Sequence, residues 1–282
     1  MKKIFALVLV TATFLSACNM PGIAAQPTAV STEAPVVDVP TATQQPSGIP
    51  VSFQNVNFII PDGLASGATS ELVPAVDEST GGPWGVAPQY ISFTLTDYTG
   101  RQDNFFKAVV NIYPAAEYTS VNSWAESSFT RLQALLASPA TPLTNDNLPT
   151  VPFNGAAAQQ YAAQAKFVSF NSGNGLSMIS QYSQFPGPIL KDNSFYHYEG
   201  LTSDGKYFVA ALFPVNLPLQ STAENPNADS LPSPYPNDIT DTAGLAAYYQ
   251  GITDTLTAAS ADSFQPSLTL LDALIQSITV SP

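Results

Sequence analysis

The chain has 282 residues, of which 21 are acidic and 8 are basic, so its formal net charge at pH 7 is −13. A surface of that charge repels phosphate backbones, which argues against nucleic acid as a partner. Cys18 is the single cysteine, so no internal disulfide can form and a folded domain must depend on its apolar core.

The N-terminus has the pattern of a processed export signal. Lys2 and Lys3 precede an apolar run over residues 4–15, which is too short to span a bilayer as a stable helix. The run ends in the segment Leu15-Ser16-Ala17-Cys18. This segment resembles the lipobox of bacterial lipoproteins.

That resemblance implies that residues 1–17 are a lipoprotein signal peptide and that Cys18 becomes the acylated N-terminus. Lipid chains on Cys18 would hold the protein on the cell membrane, facing the extracytoplasmic side. An ordinary secretory signal with an incidental cysteine is the alternative. Residues 18–50 contain the lipidated cysteine and a linker rich in Pro, Thr and Ala, which is too poor in apolar residues to fold and is predicted to be disordered. Residues 51–282 are then predicted to form one globular domain.

The first half of this domain shows strand patterns followed by one helical pattern. Residues 51–60, 90–95 and 105–113 favour strands, while residues 64–89 show no clear period. Residues 120–137 place apolar side chains at helical spacing and predict one amphipathic helix, with Trp124 on its buried face.

The second half is organised around residues 194–214, where Asp204-Gly205 supplies a hairpin turn between two apolar strands. The strand after the turn is apolar on both sides, so we expect it to be central and covered on both faces. Strand patterns at residues 166–170 and 176–182 extend this hairpin to a four-stranded meander. A proline-rich loop over residues 217–238 then leads to two closing helices, the first with Asp241 near its N-cap and the second with Ser263 and Pro266 at its start.

This order predicts an α+β fold, a mostly antiparallel sheet of about six to seven strands with helices packed on it. The arrangement is similar to the PsbP-like α/β/α sandwich, which also ends in a long helix on an antiparallel sheet. No sequence motif carries this similarity, so it implies a fold and no function.

Three side chains are candidates for ligand contact. Trp84 and Tyr90 lie in or after a glycine-rich stretch, where an exposed aromatic ring can stack on a sugar or peptide; anchoring of the loop to the core is the alternative. His197 is the single histidine and could act as a general base, although a strand histidine is more often hydrogen-bonded within the fold.

Calcium is the one cofactor that the acidic residues suggest. Asp229, Asp238 and Asp241 follow Glu224 in the proline-rich loop and its end, and carboxylates and carbonyls are the ligands that calcium prefers. Asp77 and Glu78 flank the glycine-rich stretch in a similar way. Their spacing matches no EF-hand loop, so solvated loop charges are the alternative interpretation.

The sequence contains no CxxC, HExxH, GxSxG or P-loop motif. We therefore expect a lipid-anchored domain without catalytic activity that binds an unknown protein or small-molecule ligand. The alternative is a hydrolase of an envelope or extracellular polymer that uses His197 or a pair of carboxylates.

Overall fold

The computed structural model describes residues 47–101, 106–151 and 157–282. These residues form a seven-stranded antiparallel sheet with helices on both faces and a smaller three-stranded sheet. The predicted α+β class is confirmed, and so is the predicted mostly antiparallel sheet. The signal peptide, Cys18 and the linker up to residue 46 lie outside the described residues.

The elements follow one another in a simple order. The strands are β1 (Gly48–Phe53), β2 (Val56–Pro61), β3 (Gly67–Val73), β4 (Tyr90–Thr96), β5 (Val109–Pro114), β6 (Ala158–Phe170), β7 (Gly173–Ser183), β8 (Ser194–Thr202), β9 (Tyr207–Val215) and β10 (Thr279–Val280). The helices are α1 (Glu78–Gly85), α2 (Ala115–Val121), α3 (Ser123–Ala137), α4 (Thr242–Ala258) and α5 (Leu268–Ser277). The large sheet has the order β3-β4-β5-β9-β8-β7-β6, and the small one β1-β2-β10.

The hairpin β8–β9 lies at the middle of the large sheet, as predicted, with β9 as its fourth strand. Gly205 has a φ of +71°, and the Asp204 carboxylate accepts hydrogen bonds from the Thr202 hydroxyl at 2.7 Å and the Lys206 N–H at 3.1 Å. Val209 and Leu212 are both buried and lie on opposite faces, since successive strand side chains alternate. The central, doubly covered strand is therefore confirmed.

The two faces of the large sheet carry different covers. One, here called the α4/α5 face, buries Val209, Ala211 and Phe213 of β9 against α4 and α5. The other, the α2/α3 face, packs Phe208 and Ala210 of the same strand with apolar residues of α2 and α3. Both predicted covers, the middle helix and the closing pair, are thus present.

The start of the domain differs from the prediction. The apolar run over residues 51–60 is a hairpin of β1 and β2 and not one strand, because Gln54 has a φ of +54° and reverses the chain at residues 54–55. β1 begins at Gly48, inside the segment predicted as linker. The C-terminal β10 pairs with β2, a long-range contact that strand periodicity does not indicate.

The predicted helix over residues 120–137 is two helices, α2 and α3, separated by Asn122. The backbone of Asn122 is extended, with φ of −135° and ψ of 111°, and its side chain caps α3 by accepting hydrogen bonds from the N–H groups of Trp124 and Ala125. Apolar periodicity runs through this position without a break because both helices bury the same side. An N-cap interrupts a helix without disturbing that pattern.

Three further boundaries differ from the predictions. The unassigned residues 64–89 contain β3 and α1. The strand predicted from residue 105 starts at Val109. The last helix begins at Leu268, capped by the hydroxyl of Ser267, and residues 261–263 form a separate 3-10 turn. The Asp241 cap of α4 is confirmed, since its carboxylate accepts a hydrogen bond from Gly244 N–H at 2.9 Å.

Candidate functional site

The only histidine belongs to a buried polar cluster on the α2/α3 face. His197 and Glu199 are two residues apart on β8 and therefore point to the same side of the sheet. The imidazole Nε2 lies 2.9 Å from Glu199 Oε1, and the Ser128 hydroxyl of α3 donates a 2.5 Å hydrogen bond to Oε2. All three side chains are at most 1 % exposed.

The order of groups in this cluster does not match a nucleophilic triad. A serine nucleophile needs the imidazole on its own hydroxyl, whereas here the carboxylate stands between Ser128 and His197. Ser128 Oγ is also the acceptor of the Thr150 N–H at 3.2 Å. The arrangement connects α3, the loop after it and β8, and His197 is too deeply buried for a substrate to reach it in this structure.

Two tyrosines border the cluster. Tyr182 lies edge-on to His197, with a ring-centroid distance of 6.4 Å, and its hydroxyl accepts a hydrogen bond from Val151 N–H at 2.8 Å. Burial is the main cause that raises the pKa of Tyr182 and of Tyr118, and the charge of Glu199 adds to it. Both phenols are therefore neutral at physiological pH and contribute hydrogen bonds, not charge.

The two aromatic residues predicted to contact a ligand are placed differently. Tyr90 is half-buried and stacks on Tyr113 at 4.5 Å, and Tyr113 stacks in turn on Tyr118 at 4.2 Å. Burial, followed by the charge of Glu71, raises the pKa of Tyr90. Tyr90 thus anchors the sheet to α2, while Trp84 on α1 is 40 % exposed and accessible to a ligand.

Trp124 was predicted to be a core residue, and this is wrong. The side chain is 37 % exposed because α3 begins only at Ser123, so Trp124 lies in the first turn at the end of the sheet. The buried positions of α3 are Ala125, Ser128, Leu132 and Leu135.

Asp229, Asp238 and Asp241, the residues predicted to bind calcium, each accept local backbone hydrogen bonds. Asp229 accepts hydrogen bonds from the N–H groups of Gln220 and Ser221, at 2.7 and 3.0 Å. Asp238 accepts from the N–H and the hydroxyl of Thr240, which lower the pKa of its carboxyl group. Among the described residues, no three His, Cys, Asp or Glu side chains are arranged to hold a metal ion. The calcium hypothesis stays a prediction.

A groove of about 630 Å³, here called the hairpin groove, lies on the α2/α3 face beyond the C-terminal end of α3. Its lining comes from the last turns of α3 and from the ends of the hairpins β6–β7 and β8–β9. The lining residues are Gln133, Leu136, Ala137, Phe167, Ser169, Asn174, Gly175, Leu201, Thr202, Ser203 and Gly205. Phe167 is 38 % exposed, although it is a phenylalanine in a strand.

Sequence reasoning missed this groove. Its residues come from four elements between Gln133 and Gly205, and none belongs to a known motif. One local signal existed: Phe167 precedes Ser169 on the same side of β6, close to the turn at residues 171–172, so it had to lie near the end of the sheet.

Searches against protein-family models, curated proteins and solved structures found no match for this chain. Among the residues that the structure describes, no helix has both the length and the apolar content needed to cross a bilayer.

Proposed function

We propose that the protein is a lipid-anchored domain on the extracytoplasmic side of a bacterial cell membrane, and that its hairpin groove binds an uncharged oligosaccharide. The observation that carries the ligand class is the chemistry of the groove. In a chain with a net charge of −13, none of its lining side chains is charged.

The lining combines the two kinds of surface that a sugar ring requires. Phe167 offers a partly exposed aromatic face, on which the C–H side of a pyranose can stack, with Leu136 and Leu201 beside it. Gln133 and Asn174 offer amides, and Thr202 offers a hydroxyl, all of which can hydrogen-bond to sugar hydroxyls. A charged ligand would find no opposite charge here to offset the loss of its hydration.

The size and position of the groove also fit this class. Its volume of about 630 Å³ falls in the range of small-molecule sites, roughly 300–1,000 Å³. The groove is open at the ends of two hairpins, so a chain of several sugar units can extend beyond it. An anchored extracytoplasmic domain would meet such polymers at the cell surface.

Calorimetric titration with short neutral oligosaccharides tests the proposal. We expect Phe167→Ala to weaken binding roughly threefold to tenfold, the contribution of one aromatic stacking contact. Phe185→Ala is the matched control, because Phe185 is 70 % exposed and lies outside the groove.

Unchanged affinity of the Phe167→Ala variant, or an equal loss in the Phe185→Ala variant, would mean that the groove is not the site. If charged oligosaccharides bind more tightly than neutral ones, the ligand class is wrong.

Anchoring is tested separately. The segment Leu15-Ser16-Ala17-Cys18 supports it. In a bacterial host the wild-type chain should partition into the detergent phase, and Cys18→Ala should shift it to the aqueous phase. Equal partitioning of both forms would contradict the lipid anchor.

A further inference from the structure

The two tryptophans of the chain lie at one corner of the domain, at the opposite end of α3 from the hairpin groove. Trp84 of α1 is 40 % exposed, Val121 at the end of α2 is 48 % exposed, and Trp124 of α3 is 37 % exposed. We call these three residues the tryptophan corner. Large exposed apolar side chains in close proximity mark interaction surfaces, and tryptophan is enriched among the residues that dominate binding energy.

The side chain of Asn122 brings the backbones of the three residues together. Its Nδ2 donates hydrogen bonds to the carbonyl oxygens of Trp84, at 3.2 Å, and of Val86, at 2.8 Å. Its Oδ1 accepts the N–H of Trp124 at 2.9 Å, and Val121 is its neighbour in the chain. Asn122 itself is 2 % exposed, so α1 is fixed to the junction of α2 and α3 by a buried group.

The charged side chains of α1, α2 and the first turn of α3 are all acidic. Arg131, two turns further along α3, lines a cavity with Trp124 and donates a hydrogen bond to the Leu148 carbonyl oxygen at 3.3 Å. Glu78 follows the N-cap Asp77 of α1, Glu117 is one turn before Val121 on α2, and Glu126 is in the first turn of α3. All four carboxylates are exposed, and in the part of the chain that the structure describes none of them forms an ion pair. Hydrogen bonds from Ser79 and Thr80 lower the pKa of Asp77, which therefore stays ionised.

We propose that the tryptophan corner is a docking surface for a basic, lysine- or arginine-rich segment of a partner protein. Indole faces attract ammonium and guanidinium groups, and the four carboxylates supply charge complementarity around them. α1 and α2 contain no basic residue, and Arg131 of α3, which lines a cavity with Trp124, is accompanied there by Asp146. This site is separate from the hairpin groove and does not depend on the function proposed for the groove.

Tryptophan fluorescence provides a direct test, because the chain has 2 tryptophans and both belong to the corner. The probe is an oligolysine peptide, which has no aromatic residue, titrated into the full chain. We expect a saturable change in emission whose apparent Kd rises with added salt, as for attraction between exposed charges. Trp84→Phe and Trp124→Phe each leave one reporter, which should still respond.

Affinity for a dye-labelled oligolysine should fall about tenfold or more in Trp84→Ala and Trp124→Ala, the loss typical of an interface hot spot. Glu117→Gln and Glu126→Gln should weaken binding by a smaller factor. Phe185→Ala and Asp254→Asn are the controls, because both residues are exposed and lie on other elements, and they should leave the Kd unchanged.

Three results would overturn the proposal. The first is the absence of a saturable change in emission when oligolysine is added. The second is equal affinity of oligolysine for the wild type and the two Trp→Ala variants, which would indicate attraction by net charge alone. The third is the same saturable change with oligoglutamate or a neutral oligosaccharide. The last result would assign the corner to another class of ligand.

Discussion

The two faces of the large sheet are held in place by different physical means. On the α4/α5 face, Val209, Ala211 and Phe213 of β9 contact a continuous apolar cluster that includes Ile252 of α4 and Leu271 of α5. The sheet also buries Ser177, Gln181 and Ser194 on this face, but these polar side chains are neutral. On the α2/α3 face, the same sheet contributes polar groups between its apolar ones. Its buried polar residues are Ser92, Asn111, Ser180, His197 and Glu199, and Ser128 of α3 packs on them.

Because of this difference, the α4/α5 face is stabilised mainly by apolar burial, whereas the α2/α3 face also depends on specific hydrogen bonds. The α4/α5 face, here called the apolar face, is stabilised roughly in proportion to the area it buries, and this stabilisation depends little on the orientation of the side chains. The α2/α3 face, here called the polar face, requires a hydrogen-bond partner for each buried polar group, since a buried carboxylate is tolerated only when it is hydrogen-bonded. On this face the hairpin groove lies at the C-terminal end of α3 and the tryptophan corner at its N-terminal end.

The largest effect should come from His197→Ala on the polar face. The substitution leaves a buried carboxyl oxygen of Glu199 without its hydrogen-bond partner and opens a cavity where the imidazole was, and we expect these two effects together to cost about 3–5 kcal/mol of unfolding free energy. Urea denaturation at pH 7 measures it. Adding Glu199→Gln to the His197→Ala variant removes the charge and should recover part of the loss. A change below about 0.5 kcal/mol would show that the polar cluster does not hold this face.

Leu271→Ala should be comparable on the apolar face. Leu271 is 0 % exposed, and truncation of a buried leucine leaves a cavity that costs about 2–5 kcal/mol. Leu132→Ala is the matched variant, because Leu132 is also 0 % exposed but lies on α3. Similar losses for the two leucines would show that the faces differ only in their polar groups. A loss under about 1 kcal/mol for Leu132→Ala would show instead that apolar packing is weaker on the α2/α3 face.

A smaller and pH-dependent effect is expected for Tyr248→Phe. Its hydroxyl accepts the Ile189 N–H at 2.8 Å, so the variant should lose about 1–3 kcal/mol at pH 7. Burial, the largest cause, raises the pKa of Tyr248 from 10.0 to about 12. The pKa of Tyr248 is higher in the folded than in the unfolded protein. The stabilisation by its neutral hydroxyl is therefore complete below pH 10 and is lost as the pH rises through 12.

Unfolding free energies measured from pH 8 to 12 should therefore fall more steeply in the wild type than in Tyr248→Phe. Other buried tyrosines are present in both proteins, so the difference between the two curves isolates Tyr248. Parallel curves would contradict the assignment.

Lys206→Ala should have the smallest effect. Lys206 lies in the β8–β9 turn, at the edge of both faces, and its side chain is 63 % exposed where it pairs with Asp204 at 3.2 Å. Exposed ion pairs contribute little, so we expect a change below about 0.5 kcal/mol in urea denaturation. A loss above 1 kcal/mol would mean that the turn, and not the covers, limits the stability of the central hairpin.

The predicted features that the structure confirms are local ones. Asp204-Gly205 encodes its own turn, Asp241 its own helix cap, and the apolar strand from Tyr207 encodes its own central position. Two errors have local causes that apolar periodicity does not show, the turn at Gln54 and the N-cap Asn122. Others occur where the outcome depends on a distant contact. Trp124 has helical spacing with buried residues, but its exposure depends on where the sheet ends beneath α3.

The candidate sites were less predictable than the fold. Trp84 was found because a tryptophan in a glycine-rich stretch is unusual, and it is indeed exposed. Its proximity to Trp124 depends on Asn122, which the periodic pattern hides within one long helix. Sequence reasoning singled out His197 but not its partner Glu199, nor Ser128, which bonds Glu199 from 71 residues away in the chain.

The amino-acid sequence by itself therefore determined the fold class, the central hairpin and the helix on each side of it, together with the expectation of a lipid anchor at Cys18. These follow from periods of two and 3.6 residues and from turn chemistry, all of which act between near neighbours. Only the tertiary structure decided which polar groups meet at Glu199, where the hairpin groove opens, and that the two tryptophans share a corner. The reason is physical: local preferences set the elements and their buried sides, whereas contacts between elements depend on how those sides pack, and packing leaves no periodic trace in the sequence.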